Sequence, residues 1–263
     1  MGELVSVPNC KTLVFIHGWA SAPEIWQRQR EYFGKHYEVI LPDISRAKDI
    51  QEAAGIVNDS IKGKKDFILI GWSLGWLSFL EWLKNITSES PSRYEVVFRY
   101  LPKGVIAVNS TAKFCDDGYL GKGPTETHLA KMIRDCKRDP RKTVEDFYKG
   151  MLTDIGKNAL NSLKIKNIAF DTLAQGLYML KNCDYRDFIA RIHFPTLIIA
   201  GAKDAICVPE ASEYMHKKIK GSELKVFDCG HMPFIDKADG FNAAIDNFIK
   251  LMPGTKSHFS ARR

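Results

Sequence analysis

Short apolar runs alternate with longer amphipathic stretches along most of the chain. Five runs rich in β-branched and other apolar residues predict buried strands at 12–16, 37–41, 67–70, 105–108 and 196–200, and 223–227 is predicted as the last strand. Between them, apolar residues recur at helical spacing and predict helices over 23–33, 47–61, 74–86, 209–219 and 241–251. This alternation of strands and helices predicts an α/β fold, with a mostly parallel sheet covered by helices on both faces.

One long segment interrupts the alternation. Residues 111–192 contain polar and basic helical patterns and no strand-like run. We therefore predict a core formed by 1–110 and 193–263, with a helical lid insertion at 111–192. Ligands of open α/β sheets bind at the carboxyl edge of the strands, so the lid is expected there. The alternative is that these helices merely enlarge the scaffold.

The predicted strand at 67–70 runs into the motif Gly71-Trp-Ser-Leu-Gly75 and then into a predicted helix. A strand, Gly-x-Ser-x-Gly and a helix in this order are typical of a sharp turn that exposes a nucleophilic serine. Gly71 and Gly75 leave room for the strained backbone, and Ser73 lies at the positive end of the helix. The alternative is a tight turn with an incidental serine.

A serine hydroxyl needs a base, and a base needs an orienting acid. In this arrangement the order along the chain is serine, acid, histidine. Asp204 follows the predicted strand at 196–200, and His231 follows the last predicted strand. We predict Ser73 as nucleophile, His231 as base and Asp204 as acid. Asp184, inside the insertion, is the alternative acid.

Ester hydrolysis places negative charge on the former carbonyl oxygen, which two backbone N–H groups typically stabilise. One is expected from Leu74, the residue after the nucleophile, and the other from Trp19 in the loop after the first strand. Gly18 lets this loop approach closely, and His17 is expected to orient it.

The composition narrows the class of protein. The chain has 263 residues, 45% of them hydrophobic and 26% charged, as in one large globular domain. Six scattered cysteines form no C-x-x-C pair, so we expect reduced thiols in the cytoplasm and no metal site or other cofactor. No signal peptide or membrane span is predicted. We expect a monomer that binds neither nucleic acid nor membrane.

With these motifs, the chain resembles the α/β-hydrolases over nearly its whole length. Within that superfamily it is similar to the BioH-type pimeloyl-acyl carrier protein methyl ester esterases of biotin synthesis. The segments that carry this narrower similarity are Ile70-Gly-Trp-Ser-Leu-Gly75, Asn109-Ser-Thr-Ala-Lys-Phe-Cys115, Lys142-Thr-Val-Glu-Asp-Phe147 and Leu180-Lys-Asn-Cys-Asp-Tyr-Arg186. The resemblance implies an α/β-hydrolase fold and a substrate whose acyl chain ends in a methyl ester and is tethered to acyl carrier protein.

The resemblance also implies a basic surface, because carrier proteins are acidic. The net charge of +7 is compatible with such a partner or with solubility alone. The predicted partner-binding residues are Arg134, Lys137, Arg138, Arg141 and Lys142. The alternative for these charges is an ordinary solvated face. Phe147 is expected to line the acyl channel together with Trp19.

Three functions follow from these patterns. The first is a serine carboxylesterase acting on the methyl ester of a carrier-bound acyl chain. The second is a general esterase or thioesterase acting on small free substrates. The third is a non-catalytic binding or signalling protein on the same fold, against which the complete set of Ser73, Asp204 and His231 argues.

Overall fold

Six parallel strands form one sheet at the centre of the protein. The computed structural model describes residues 10–88, 101–152 and 169–252. The strands are β1 (Thr12–Ile16), β2 (Glu38–Ile40), β3 (Phe67–Trp72), β4 (Gly104–Val108), β5 (Thr196–Gly201) and β6 (Glu223–Phe227). Their order is β2-β1-β3-β4-β5-β6, and every neighbouring pair is parallel. The predicted parallel sheet is confirmed.

The strand order reverses beside β1. From β1 the chain crosses to β2 on one side, and it then returns to β3 on the other side. Val14 of β1 is in register with Leu69 of β3, so the two strands end at nearly the same level. Crossovers that leave in opposite directions open a crevice at the carboxyl ends of the two strands. The loops after β1 and β3 lie at this crevice.

Burial shows that both faces of the sheet are covered. Every residue of β1, β3, β4 and β5 is buried. A parallel strand that is buried on both faces requires helices on both sides, and its sequence is then continuously apolar. The edge strands β2 and β6 keep exposed positions. The predicted α/β fold with helices on both faces is confirmed.

The helices follow the predicted segments with shifted ends. They are α1 (Gln27–Phe33), α2 (Ile50–Ser60), α3 (Leu74–Ser88), α4 (Glu126–Arg138), α5 (Pro140–Met151), α6 (Phe170–Asn182), α7 (Pro209–Lys218), α8 (Pro233–Asp236) and α9 (Ala238–Leu251). Helix α1 begins four residues later than predicted, because Pro23–Trp26 form a 3-10 turn, and α2 begins three residues later. There the Asp49 side chain accepts a hydrogen bond from the Glu52 N–H at 2.8 Å and caps the helix.

Aromatic rings hold two distant parts of the chain against one face of the sheet. Trp26 is fully buried, with its ring centroid 5.1 Å from Phe15 of β1. The same ring lies 4.3 Å from Phe234 and 6.2 Å from Phe241. Paired rings at these distances contribute beyond the area that they bury. The cluster fixes α8 and α9, and with them the loop that precedes Pro233.

The segment between β4 and β5 contains helices α4, α5 and α6, and 153–168 lies outside the described residues. Helix α4 packs on both α5 and α6, while α6 also contacts α3 of the core. An antiparallel bridge between Lys113 and Asp184 joins the beginning and end of the segment. Arg186 adds ion pairs to Asp184 at 2.6 Å and Asp117 at 3.1 Å. The two connections to the core are thus tied together. We call 111–192 the insertion.

No helix in the described ranges is both long enough and apolar enough to cross a bilayer.

Helix α3 begins in close contact with the end of β1. A Cβ atom on Gly75 would lie 2.5 Å from the Ile16 carbonyl oxygen and 2.7 Å from that of His17. These neighbours are backbone atoms and have little freedom to move. Gly55, in the interior of α2, has no atom within 4 Å of the same position. Packing therefore requires glycine at position 75 and not at position 55.

We therefore expect opposite effects from two identical substitutions. Gly75→Ala forces β1 and α3 apart and should lower the free energy of unfolding by about 1–3 kcal/mol. Gly55→Ala removes a flexible helical residue and should raise it by about 0.4–1 kcal/mol. Urea unfolding monitored by circular dichroism measures both. Equal effects would contradict the close contact at Gly75.

Candidate active site

Ser73 occupies a strained turn between β3 and α3. Its φ is +53°, in the left-handed region that non-glycine residues rarely adopt. Its backbone N–H donates to the Val108 carbonyl at 3.1 Å, and its carbonyl accepts from the Ser110 hydroxyl at 3.0 Å. A Cβ on Gly71 would lie 2.7 Å from the Trp76 backbone, which explains the first glycine of the motif. Neighbouring strands therefore hold the turn in place.

Asp204 and His231 form a buried hydrogen-bonded pair. His231 Nδ1 lies 2.7 Å from Asp204 Oδ2, and the two residues are 1% and 3% exposed. The carboxylate accepts at this oxygen, so Nδ1 carries the proton and Nε2 is left as the basic nitrogen. In the described part of the chain, buried Nε2 makes no hydrogen bond. It is available to accept a proton.

The other predicted acid lies elsewhere. Asp184 is at the base of the insertion, with Lys113 Nζ at 3.3 Å and Arg186 at 2.6 Å. The other oxygen of Asp204, Oδ1, accepts from the backbone N–H groups of Ile206 at 2.8 Å and Cys207 at 3.0 Å. The structure thus brings Asp204, and not Asp184, to the histidine.

The loop that carries His231 is held from both sides. The His231 backbone N–H donates to the carbonyl of Met151, at the end of α5, at 2.7 Å. Its carbonyl accepts from the indole Nε1 of Trp72, the residue before the serine, at 3.0 Å. A Cβ on Gly230 would lie 2.3 Å from the Met151 oxygen, so only glycine allows this approach. The insertion therefore supports the histidine directly.

Two backbone donors lie beside Ser73. A Cβ on Gly18 would lie 3.2 Å from the Ser73 Cβ, so the loop after β1 passes directly over the serine. In the ranges that the structure describes, the N–H groups of Trp19 and Leu74 have no acceptor. His17 holds the loop, because Nδ1 donates to the Gly18 carbonyl at 2.9 Å and Nε2 accepts from the Ile44 N–H at 3.1 Å.

The Trp19 side chain connects this loop to the insertion. Its Nε1 donates to the Leu173 carbonyl at 2.9 Å, and its ring meets Phe147 edge-on at 4.8 Å. A Cβ on Gly176 would lie 2.4 Å from the same indole. Tyr148 adds a hydrogen bond from its hydroxyl to the Ala20 carbonyl at 3.0 Å. Trp19 and Phe147, which were both predicted to line the acyl channel, are in contact at the junction between core and insertion.

Little space remains at the two free donors. A cavity of about 20 Å³ is bordered by Trp19, Leu74 and Met179. This volume suits a single water molecule and no acyl group. Met179 also borders a separate cavity of about 350 Å³ between α3 and α6.

Two residues at the site had no role assigned from the sequence. Cys207 lies beside Ser73, and burial, with the Asp204 charge, raises the pKa of its thiol. It stays protonated and does not compete as a nucleophile. Asn109 Nδ2 donates to Asp204 Oδ2 at 2.7 Å. The available signals were its position directly after β4, at the carboxyl edge of the sheet, and its place in the segment 109–115 that carries part of the family resemblance.

The five predicted partner-binding residues lie together at the end of α4 and the start of α5. All are exposed: Arg134, Lys137, Arg138, Arg141 and Lys142. Three of them pair with acids on their own helices, Arg138 with Asp135, Arg141 with Glu145, and Lys142 with Asp146. Within the described residues, Arg134 and Lys137 form no ion pair. The surface is less basic than the sequence indicates.

Comparisons with known proteins agree with this architecture. A family model described as the alpha/beta hydrolase family matches residues 13–244. The pimeloyl-[acyl-carrier protein] methyl ester esterase of Wigglesworthia glossinidia brevipalpis is 31% identical over 255 residues, covering 90% of this chain and 93% of that protein. Its counterpart in Legionella pneumophila (strain Corby) is 27% identical over 254 residues, covering 90% and 95%. The esterase EaEST from Exiguobacterium antarcticum superposes with a TM-score of 0.81 at 23% identity, covering 93% of each chain.

The buried pair yields a matched test. Asp204→Asn replaces the acceptor of the histidine with a group that no longer fixes its tautomer, and by analogy with other triads turnover should fall about 10⁴-fold. Asp184→Asn should leave turnover near wild type. Hydrolysis of p-nitrophenyl butyrate by both purified variants measures this. Retained activity in Asp204→Asn with loss in Asp184→Asn would reverse the assignment.

Proposed function

We propose that this chain, which belongs to the alpha/beta hydrolase family and is an ester-hydrolysing enzyme, acts through a Ser73, His231 and Asp204 triad. The observation that carries the proposal is the buried histidine. One of its nitrogens is bound to Asp204 at 2.7 Å, and the other is free of partners in the described chain. A neutral imidazole with this polarity is a general base.

In the first half of the proposed reaction, Ser73 Oγ attacks the ester carbonyl carbon while His231 Nε2 takes the hydroxyl proton. The carbonyl oxygen becomes an oxyanion and accepts hydrogen bonds from the Trp19 and Leu74 N–H groups. When the tetrahedral intermediate collapses, the carbon–oxygen bond to the alcohol breaks. The imidazolium gives its proton to the departing oxygen, and the acyl group stays on Ser73.

The second half regenerates the enzyme. His231 removes a proton from a water molecule, whose oxygen attacks the acyl carbon of the Ser73 ester. Collapse of this intermediate breaks the bond to Oγ, which regains its proton from the imidazolium. The carboxylic acid then leaves. Asp204 keeps its negative charge throughout and stabilises the imidazolium in both halves.

For the physiological substrate we propose the methyl ester of an acyl chain on acyl carrier protein, in biotin synthesis. The support is the names of the curated relatives, which share 25–31% identity over at least 90% of this chain. Hydrolysis then yields methanol and the free terminal carboxylate. All six cysteines are buried free thiols, which fits the reducing cytoplasm that we propose as its location.

The partner in this proposal is the acidic carrier. Arg134 and Lys137 lie one turn apart on α4, exposed and without an ion pair in the described residues. Charges of this kind attract an acidic protein mainly by speeding encounter. The three paired basic residues contribute less, because the acids on their own helices offset them.

The pairing of basic residues with acidic residues on α4 and α5 favours a second function, the hydrolysis of small free esters. Residues 126–151 contain seven basic and five acidic residues, so the net positive charge of α4 and α5 is small. If these charges are only a solvated face, the insertion serves to cover the site and the enzyme is a general esterase.

The nucleophile is tested by removing its hydroxyl. Ser73→Ala and His231→Ala should each lower turnover of p-nitrophenyl butyrate by about 10⁶-fold, because triad members act as a unit. A fluorophosphonate probe should label the wild type and not Ser73→Ala. Cys207→Ala is the matched control, since it lies beside the serine and should retain labelling. Labelling that survives in Ser73→Ala would identify a different nucleophile.

The carrier surface is tested by reversing its two unpaired charges. Arg134→Glu with Lys137→Glu should raise KM for a methyl ester on acyl carrier protein about tenfold at low salt, and added salt should have the same effect on wild type. Hydrolysis of p-nitrophenyl butyrate should not change. Steady-state kinetics on both substrates measures this.

The control carries the same charge change on another surface. Lys217→Glu with Lys220→Glu lies on and just after α7, where both residues are exposed. This variant should leave KM for the carrier-bound ester unchanged. An equal rise of KM in both double variants would indicate a general charge effect. No rise in either would support the general esterase.

A further inference from the structure

The segment from Val108 to Ser110 contacts Ser73, Asp204 and the residue that precedes His231. Val108 accepts from the Ser73 N–H, and the Ser110 hydroxyl donates to the Ser73 carbonyl. Between them, Asn109 Nδ2 donates to Asp204 Oδ2 at 2.7 Å and to the Gly230 carbonyl at 3.1 Å. One amide group therefore joins the acid to the residue that precedes the histidine.

Geometry fixes the direction of this amide. Both neighbours of Nδ2 are acceptors, a carboxylate and a carbonyl, so the reversed amide would place an oxygen against two oxygens. In the described part of the chain the buried Asn109 Oδ1 has no hydrogen-bond partner. Leaving a buried oxygen without a partner costs free energy, which indicates that both N–H bonds are favourable enough to offset it.

The backbone at Asn109 is also unusual. Its φ is +39°, a left-handed conformation that asparagine tolerates better than most residues. The residue is 0% exposed, and its N–H donates to the Ile199 carbonyl of β5 at 2.8 Å. A Cβ on Gly201 would lie 3.0 Å from Asn109 Nδ2 and 2.1 Å from the Gly230 oxygen. Glycine at 201 makes the room that the amide occupies.

We infer that Asn109 is a positioning residue for the hydrolytic reaction, holding Asp204 Oδ2 and the His231 loop in one fixed relation. This inference rests on the triad proposed above. Oδ2 accepts from His231 and Asn109 together, while Oδ1 is bound by two backbone N–H groups. Among the described residues, Asn109 is the only side chain on the β4 side that binds this carboxylate. Without its amide, nothing on that side orients the carboxylate towards the imidazole. A catalytic group that moves by a fraction of an ångström loses rate.

Two substitutions separate the donor from the space that it fills. Asn109→Gly removes the amide and accepts the left-handed backbone without strain. Asn109→Asp keeps the size and presents an acceptor where a donor is needed. In both, kcat for p-nitrophenyl butyrate should fall about 10- to 100-fold, the worth of a hydrogen bond to a charged group. KM should stay within about twofold, since Asn109 does not touch the substrate.

A residue that acts through Asp204 has a second signature. In an Asp204→Asn background, Asn109→Gly should lower kcat by less than about threefold, because the group that it positions is already gone. The downfield proton resonance of His231 Nδ1–H should shift in Asn109→Gly alone. Gln29→Leu is the control for buried amides in general. Gln29 is fully buried and donates to the Phe234 carbonyl at 3.2 Å, so its loss should lower Tm and leave kcat unchanged.

The outcomes distinguish this inference from the proposed triad. A folded Asn109→Gly variant with the wild-type kcat would overturn the positioning role. So would a double variant with Asp204→Asn whose loss of kcat equals the product of the two single losses. A kcat that falls only in proportion to the folded fraction would also overturn it. If Ser73→Ala retains activity, the triad itself is wrong. If Ser73→Ala is inactive and Asn109→Gly is normal, only the inference fails.

Discussion

The Asp204 carboxylate accepts four hydrogen bonds, and the arrangement of loops above the sheet depends on it. Its donors come from its own turn, from the end of β4 and from the loop after β6. A buried carboxylate is costly unless donors compensate the water that it has lost. The four donors meet that requirement, and in doing so they fix three loops relative to one another. The same contacts that make the charge tolerable also make the site rigid.

Two hydrogen bonds connect the insertion to this site. The His231 backbone N–H donates to the end of α5, while the Trp19 indole donates to α6. The proposed base and one proposed oxyanion donor are therefore each attached to a helix of the insertion. A substitution that displaces either helix is thus expected to disturb the site, although it lies outside the sheet.

The sequence predicted the four inner strands well because each is a short run of mainly apolar residues, and β1 and β6 begin and end at the predicted residues. Ser73, Asp204 and His231 could be predicted because turn motifs and order along the chain constrain them, and the structure places Asp204 and His231 in contact. The role of Asn109 was missed because the segment 109–115, although it carries part of the family resemblance, does not show which side chains the asparagine contacts. Its contacts arise only when β4 is placed between β3 and β5. The charge on α4 and α5 was overestimated because only the basic residues were considered, although five acidic residues lie among them.

Two hydrogen bonds that join the core to the insertion end on main-chain carbonyls of the insertion, those of Met151 and Leu173. A main-chain acceptor is present whichever side chain the position carries. The side chains at these two positions can therefore be exchanged during evolution without loss of the hydrogen bonds, provided that the helical backbone keeps its course. The specificity of such an enzyme is then free to diverge faster than its chemistry, since the surface that meets the substrate and the contacts that support the site are carried by different atoms of the same residues.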